Sequence, residues 1–158
     1  MKNLLFILFS LFFCNLSHSQ NENFIVNNKI INWNFVYLDS NNIKLLRNEQ
    51  LLDFVTDSTG YIKKTNFSDK KLQTISAEFK IQTKENRYKV TVFNIRVHYD
   101  PVMVKSLNVP ETAPLEETFL KSDGTIRKQL VFGYNFTELF NPYFTNLFTI
   151  KKKEDNNW

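Results

Sequence analysis

The sequence predicts an α+β domain, an antiparallel sheet of about four to six strands with one or two helices packed on one face. Three observations carry this. Only two alanines, Ala77 and Ala113, occur in 158 residues, whereas Ile, Val, Phe, Tyr and Thr abound, a balance that favours strands over helices. Apolar and polar residues alternate with period two over Lys29 to Leu38 and again over Leu72 to Thr83. Near the end, Tyr143, Phe144, Leu147 and Phe148 recur at helical spacing behind Asn141-Pro142.

The first segment is expected to lie outside the fold. Lys2 precedes an apolar run from Leu4 to Phe13 broken only by Ser10, shorter than the roughly 20 residues a membrane span needs. Ser17 and Ser19 supply the small-residue pair of a signal-peptidase site. Residues 1–19 therefore read as a signal peptide cut after Ser19, and 20–158 as a single exported domain, periplasmic, envelope-associated or extracellular, with a polar C-terminal tail. Cys14 offers a lipid anchor as an alternative, but bulky Phe13 stands where a lipobox takes a small residue.

Within 20–158 the first strand is Lys29 to Leu38, with Ile31, Trp33, Phe35 and Tyr37 on one face and Asn32 and Asn34 on the other. The turn Asp39 to Asn42 leads into a short helix through Ile43, Leu46, Leu51, Leu52 and Val55. Gly60, in the turn cluster Asp57 to Gly60, suits a positive φ angle, and Tyr61 to Phe67 forms a short strand. Leu72 to Thr83 buries Ile75, Ala77, Phe79 and Ile81 and wets Ser76, Glu78, Lys80 and Gln82. After a hairpin turn at Lys84 to Arg87, the strand Tyr88 to Tyr99 changes parity, which a bulge near Val92 or Phe93 reconciles.

Pro101 to Pro114 carries three of the four prolines and reads as a long loop crossing the sheet. Pro114 to Lys121 accommodates one or two helical turns, and Thr125 to Phe140 fits strand and helix equally. Asn141 as N-cap and Pro142 at the first position start a helix running to about Lys152, its aromatic stripe on the sheet and Lys151 to Lys153 at its C-terminal end.

Two stretches carry a resemblance: Thr59-Gly60-Tyr61-Ile62, and Lys84-Glu85-Asn86-Arg87-Tyr88-Lys89-Val90-Thr91-Val92-Phe93-Asn94-Ile95. The second resembles the hairpin of a family of exported bacterial domains of unknown function with a TATA-binding-protein-like fold, in which a polar turn precedes an arginine and alternating apolar residues. The resemblance covers roughly Ile30 to Tyr99. It implies a curved antiparallel sheet with helices on one face and no activity, the family name describing shape rather than DNA binding.

Chemistry-bearing residues are sparse. Cleavage removes Cys14, His18 and Lys2, leaving a chain without cysteine, with His98 as its one histidine, and with 19 Lys and Arg against 16 Asp and Glu. Thiol chemistry and a four-ligand zinc site made without carboxylates are thereby excluded, and Gly60, Gly124 and Gly133 stand too far apart for a phosphate loop. His98 with Asp100 two positions on is a possible base and orienting carboxylate, although no serine stands in a nucleophile elbow. Glu116-Glu117 and Asp53 with Asp57 are the carboxylate pairs available for hydrolysis, and Asp53, Asp57 and Asp69 lack the spacing of a calcium loop.

Aromatics are abundant by contrast. Trp33, Tyr37, Phe119, Phe132, Tyr134, Phe136, Phe140, Tyr143, Phe144 and Phe148 read first as core, with stacking on sugars or partner pockets as the other use. The expectation is a non-enzymatic binding or structural module with no catalytic set, cofactor or metal. It would engage a protein or glycan, and no nucleic acid, through one sheet face or through Pro101 to Pro114. The alternatives are peripheral membrane contact by the terminal aromatic and basic helix, and a small hydrolase.

Overall fold

The computed structural model describes residues 23–65, 74–99, 101–108, 110–127 and 135–151. Its elements are β1 (Phe24–Asn27), β2 (Ile30–Leu38), a 3-10 helix η1 (Ser40–Asn48), β3 (Leu52–Phe54), β4 (Thr59–Ile62), β5 (Ile75–Lys84), β6 (Arg87–His98), α1 (Pro101–Leu107), β7 (Thr112–Pro114), α2 (Leu115–Phe119) and α3 (Phe136–Leu147). Seven antiparallel strands make one open, curved sheet in the order β1-β2-β6-β5-β4-β3, with β7 paired to β6. The α+β class and one-sided helix packing are as expected. Strands β1, β3 and β7 extend the sheet beyond the four to six strands that periodicity announces, because three- and four-residue strands are too short to show a period.

Alternation decides which side of the sheet is dry. Ile31, Trp33 and Tyr37 of β2, Ile75, Ala77, Phe79 and Ile81 of β5, and Tyr88, Val90 and Val92 of β6 are buried on one face. The parity change in β6 is resolved by a bulge: the register slips between Ser76 and Glu78, and Asn94 takes a φ of 49°. Ile95 and Val97 thereby return to the core beside Val92. The β5–β6 hairpin turns on Glu85 and Asn86, with Glu85 at φ 54°.

Helix α3 closes the dry face, and its start departs from expectation. Asn135, not Asn141, is the N-cap: its Oδ1 accepts from the Thr137 backbone N–H at 3.1 Å, and its Nδ2 donates to Glu138 Oε1 at 3.1 Å. Starting there carries the apolar stripe back over Phe136 and Phe140 to join Phe144 and Leu147, all buried. Pro142 consequently lies inside the helix, on its exposed side. The carbonyl it leaves without a donor belongs to Glu138, one turn back and also exposed, where water can serve it.

Asn141 has a different task. Its Oδ1 accepts from Trp33 Nε1 at 2.9 Å and from Asn23 Nδ2 at 2.7 Å. Tyr37 Oη donates to the carbonyls of Thr145 at 3.0 Å and Phe144 at 3.3 Å, and Tyr88 Oη donates to that of Phe148 at 2.8 Å. The last carbonyls of a helix have no partner within it; here two sheet tyrosines serve them.

Three further readings change. η1 ends at Asn48, and Leu52 enters strand β3 while Val55 is exposed. Pro101 to Pro114 is not a loop but α1 and β7, each using a proline where its missing N–H costs nothing, at the first helical position and at the end of an edge strand. Gly60 lies within β4 without a positive φ. A Cβ there would strike the Asp53 carbonyl and approach Phe79 Cζ to 2.7 Å, so the glycine is required for close packing, not for a turn. The segment Thr125 to Phe140 ends in α3; residues 128–134, Phe132 and Tyr134 among them, lie outside the described residues.

Two predictions follow from this packing. Gly60→Ala forces β3 and Phe79 apart and should cost about 3 kcal/mol, read as a lowered midpoint in urea; an unchanged midpoint refutes the close-packing account. Burial pushes the Tyr88 hydroxyl up to about 12 and Tyr37 higher still. Both must stay protonated to donate, so their contribution is complete below pH 10 and is lost as pH rises through and beyond 12. Tyr88→Phe should lower stability at pH 7 by about 1 kcal/mol and flatten the decline above pH 10 in alkaline denaturation followed by circular dichroism.

Candidate functional site

The face opposite α2 and α3 is the wetter one. Every second residue of the long strands points into it: Ile30, Asn32, Asn34, Val36 and Leu38 from β2, Lys89, Thr91, Phe93, Arg96 and His98 from β6, and Ser76, Glu78, Lys80 and Gln82 from β5. Polar side chains pair across the strands. Thr91 Oγ1 donates to Asn34 Oδ1 at 2.7 Å, and Asn94 Nδ2 donates to Glu78 Oε1 at 3.1 Å. Arg96 Nη2 donates to Thr112 Oγ1 at 2.8 Å.

Apolar groups stand among them. Of the eight large hydrophobic residues exposed in the described structure, Ile25, Ile30, Val36, Leu38 and Tyr61 belong to this face. In one row, the register places Phe93 opposite Glu78, Glu78 opposite Tyr61, and Tyr61 opposite Asp53.

His98 lies at the far end of this face. Its Nε2 is 2.8 Å from Ser76 Oγ, a contact that sequence spacing could not show because the two residues are brought together only by the β5–β6 pairing. Partial burial, then the Lys64 and Arg96 cations, hold His98 below the usual histidine value. Asp100 lies outside the described residues. The pair is a hydroxyl and an imidazole on a strand surface. A cleft of about 430 Å³ lies elsewhere, between η1 and the end of α3, where Leu45, Leu46, Leu147 and Ile150 line it and Lys151 meets Glu49 at 3.7 Å.

The carboxylate candidates are dispersed. Glu116 Oε1 accepts from the Ile31 backbone N–H at 2.7 Å, at the start of β2, whereas Glu117 is exposed. Asp57 pairs with Arg47 at 2.6 Å, and Asp53 sits in β3 opposite Tyr61. Among the described residues no three His, Cys, Asp or Glu side chains gather as a metal site, and Asp69 is not among them. Phe144, Leu147 and Phe148 are buried against the sheet, with Trp33 and Phe144 rings 5.3 Å apart, so the stripe proposed for membrane contact is turned away from water. No helix of the described residues is long and apolar enough to cross a membrane.

This arrangement of strands has counterparts among solved structures. A TBP-like protein from Parabacteroides distasonis superposes with a TM-score of 0.50 and 16% identity, over 78% of this chain and 94% of that one. The chain has a TBP-like fold. A DUF4468 family protein from Bacteroides ovatus aligns over 84% of this chain and 94% of its own, with a TM-score of 0.49 and 12% identity. Neither a family model nor a curated protein matches the sequence. The TBP-like fold is what the hairpin around Lys84 to Ile95 suggested, and at such identities the likeness speaks of the fold alone.

In this TBP-like sheet His98 takes up a proton less readily folded than unfolded. Its contribution to stability is therefore complete above pH 6.5 and is lost as pH falls through its lowered folded value. The imidazole NMR signal of the chain starting at Gln20 should titrate with a midpoint below 6.5, and His98→Gln should remove that share of the acid dependence. A midpoint at or above 6.5 refutes the described environment.

Proposed function

We propose that this TBP-like domain is an exported, non-enzymatic module of the cell envelope that binds its partner through the face of the sheet opposite α2 and α3. One observation carries the reading: five of the eight exposed large hydrophobic residues share that face, although alternation would allow it to be wholly polar. Tyr61 is 51% exposed and Val36 54%, amid asparagine, threonine and lysine side chains. Apolar side chains in a polar frame are the make-up of a recognition surface. Export rests on the leader Met1 to Ser19, and the non-enzymatic role on Ser76 and His98 lying on a strand surface while the cleft lies at η1 and α3.

The test is site-specific photo-crosslinking in an expressing Gram-negative cell. A photoreactive residue at Val36 or Tyr61 should give envelope adducts, whether with protein, glycan or lipid, and one at Leu45, on η1, should not. Adducts at Leu45 alone, or equally at all three positions, refute the sheet-face reading. Mass spectrometry of the recovered chain should find Gln20 at its N-terminus; an intact leader refutes cleavage.

A further inference from the structure

One corner of that face combines two features. At the β5–β6 hairpin end, the register sets Lys80 opposite Thr91, Gln82 opposite Lys89, and Lys84 opposite Arg87. On the next strand, Val36 lies opposite Lys89 and Leu38 opposite Arg87. Lys80, Lys84, Arg87 and Lys89 are all exposed, and none forms a salt bridge among the described residues. Val36 and Leu38 are 54% and 72% exposed. The acids nearest this corner are Glu85 in the turn, Asp39 just after β2, whose carboxylate accepts from Asn42 Nδ2 at 2.9 Å, and Glu78, two residues before Lys80, whose Oε1 accepts from Asn94 Nδ2 at 3.1 Å.

The corner is also peripheral. β1 covers β2 only as far as Trp33, so Asn34 to Leu38 has no strand on its outer side among the described residues. Neighbouring strands lie about 4.8 Å apart and alternate residues about 6.8 Å apart. Two exposed aliphatic side chains and four cations thus occupy a patch of roughly 10 by 14 Å at an edge, accessible to a flat surface.

We propose that this corner docks on an anionic phospholipid bilayer. The inference rests on the sheet-face reading and names its partner. A bilayer surface satisfies both features at once: Leu38 and Val36 enter the boundary between headgroups and acyl chains while the ammonium and guanidinium groups stay at the phosphates. A soluble polyanion would engage the cations and leave the aliphatic groups in water. The interfacial role expected of α3 is thereby assigned to a surface that the fold leaves exposed.

The test is co-sedimentation of the chain from Gln20 to Trp158, which holds every described element, with phosphatidylglycerol-containing and with purely phosphatidylcholine vesicles. Binding should be confined to the anionic vesicles and weaken as salt rises. Lys84→Gln with Lys89→Gln should lower affinity about 25-fold, since one cation near such a surface is worth about fivefold. Leu38→Glu should lower it at least tenfold, and Val55→Ser, away from that face, should change it little. All these positions are exposed, and unchanged thermal unfolding confirms that each variant folds.

Absence of binding to anionic vesicles overturns the proposal. So does binding that survives both Leu38→Glu and the double lysine variant. Loss on lysine replacement with Leu38→Glu unaffected and soluble polyphosphate competing points to an anionic polymer instead. Each of these results leaves the sheet-face reading to the adducts at Val36 and Tyr61: protein or glycan adducts there keep it while the lipid proposal falls, and their absence removes both.

Discussion

Trp33, Tyr37 and Tyr88 each bury a ring against the sheet and direct its one polar atom to α3. The indole N–H goes to the Asn141 side chain, and the two hydroxyls go to carbonyls at the helix end and just beyond it. An aromatic side chain with a polar tip can be fully buried only where that tip finds a partner. Trp33 and Tyr88 are almost completely buried, so the position of α3 along the sheet is constrained by hydrogen bonds as well as by shape. The apolar stripe on its own would tolerate sliding; these three donors do not.

Much of the molecule depends on that seam. With α3 held over β2, β6 and β5, the rings of Phe144 and Phe148 reach Trp33 and Phe79, and Phe136 reaches Phe24 and Phe119. The short strand β1 and the short helix α2, neither long enough to be stable alone, gain their burial there. The bulge at Asn94 keeps the same face dry along the whole of β6. The burial of α2 and α3 therefore falls on one side, and the other side carries polar ladders, scattered aliphatic groups and cations. The surface proposed as functional is a consequence of how the core is closed.

The candidate site was partly legible. Alternation in β2, β5 and β6 identifies the wet face residue by residue, and the turn at Glu85 and Asn86 identifies the hairpin. Neither tells which strand lies beside which, so Val36 and Leu38 could not be set beside Lys89 and Arg87, nor Ser76 beside His98. Asn135 was an available signal for the start of α3, an Asn followed three residues later by Glu138. Asn141-Pro142 carries the stronger local cue, a proline at a first helical position. The outcome turned on Phe136 and Phe140, whose burial rewards the longer helix.

By itself, the sequence determined the class of fold, the long strands, their dry and wet faces, and the bulge. These are local properties: period, turn propensity and composition act over a few residues and need no knowledge of distant neighbours. Tertiary structure alone decided the strand order, the roles of Gly60 and Asn141, and the conversion of Pro101 to Pro114 into a helix and an edge strand. It also decided that Val36 and Leu38 stand beside Lys89 and Arg87. Each of those depends on contacts between residues far apart in the chain, and the free energy of such contacts outweighs local preference wherever the two disagree.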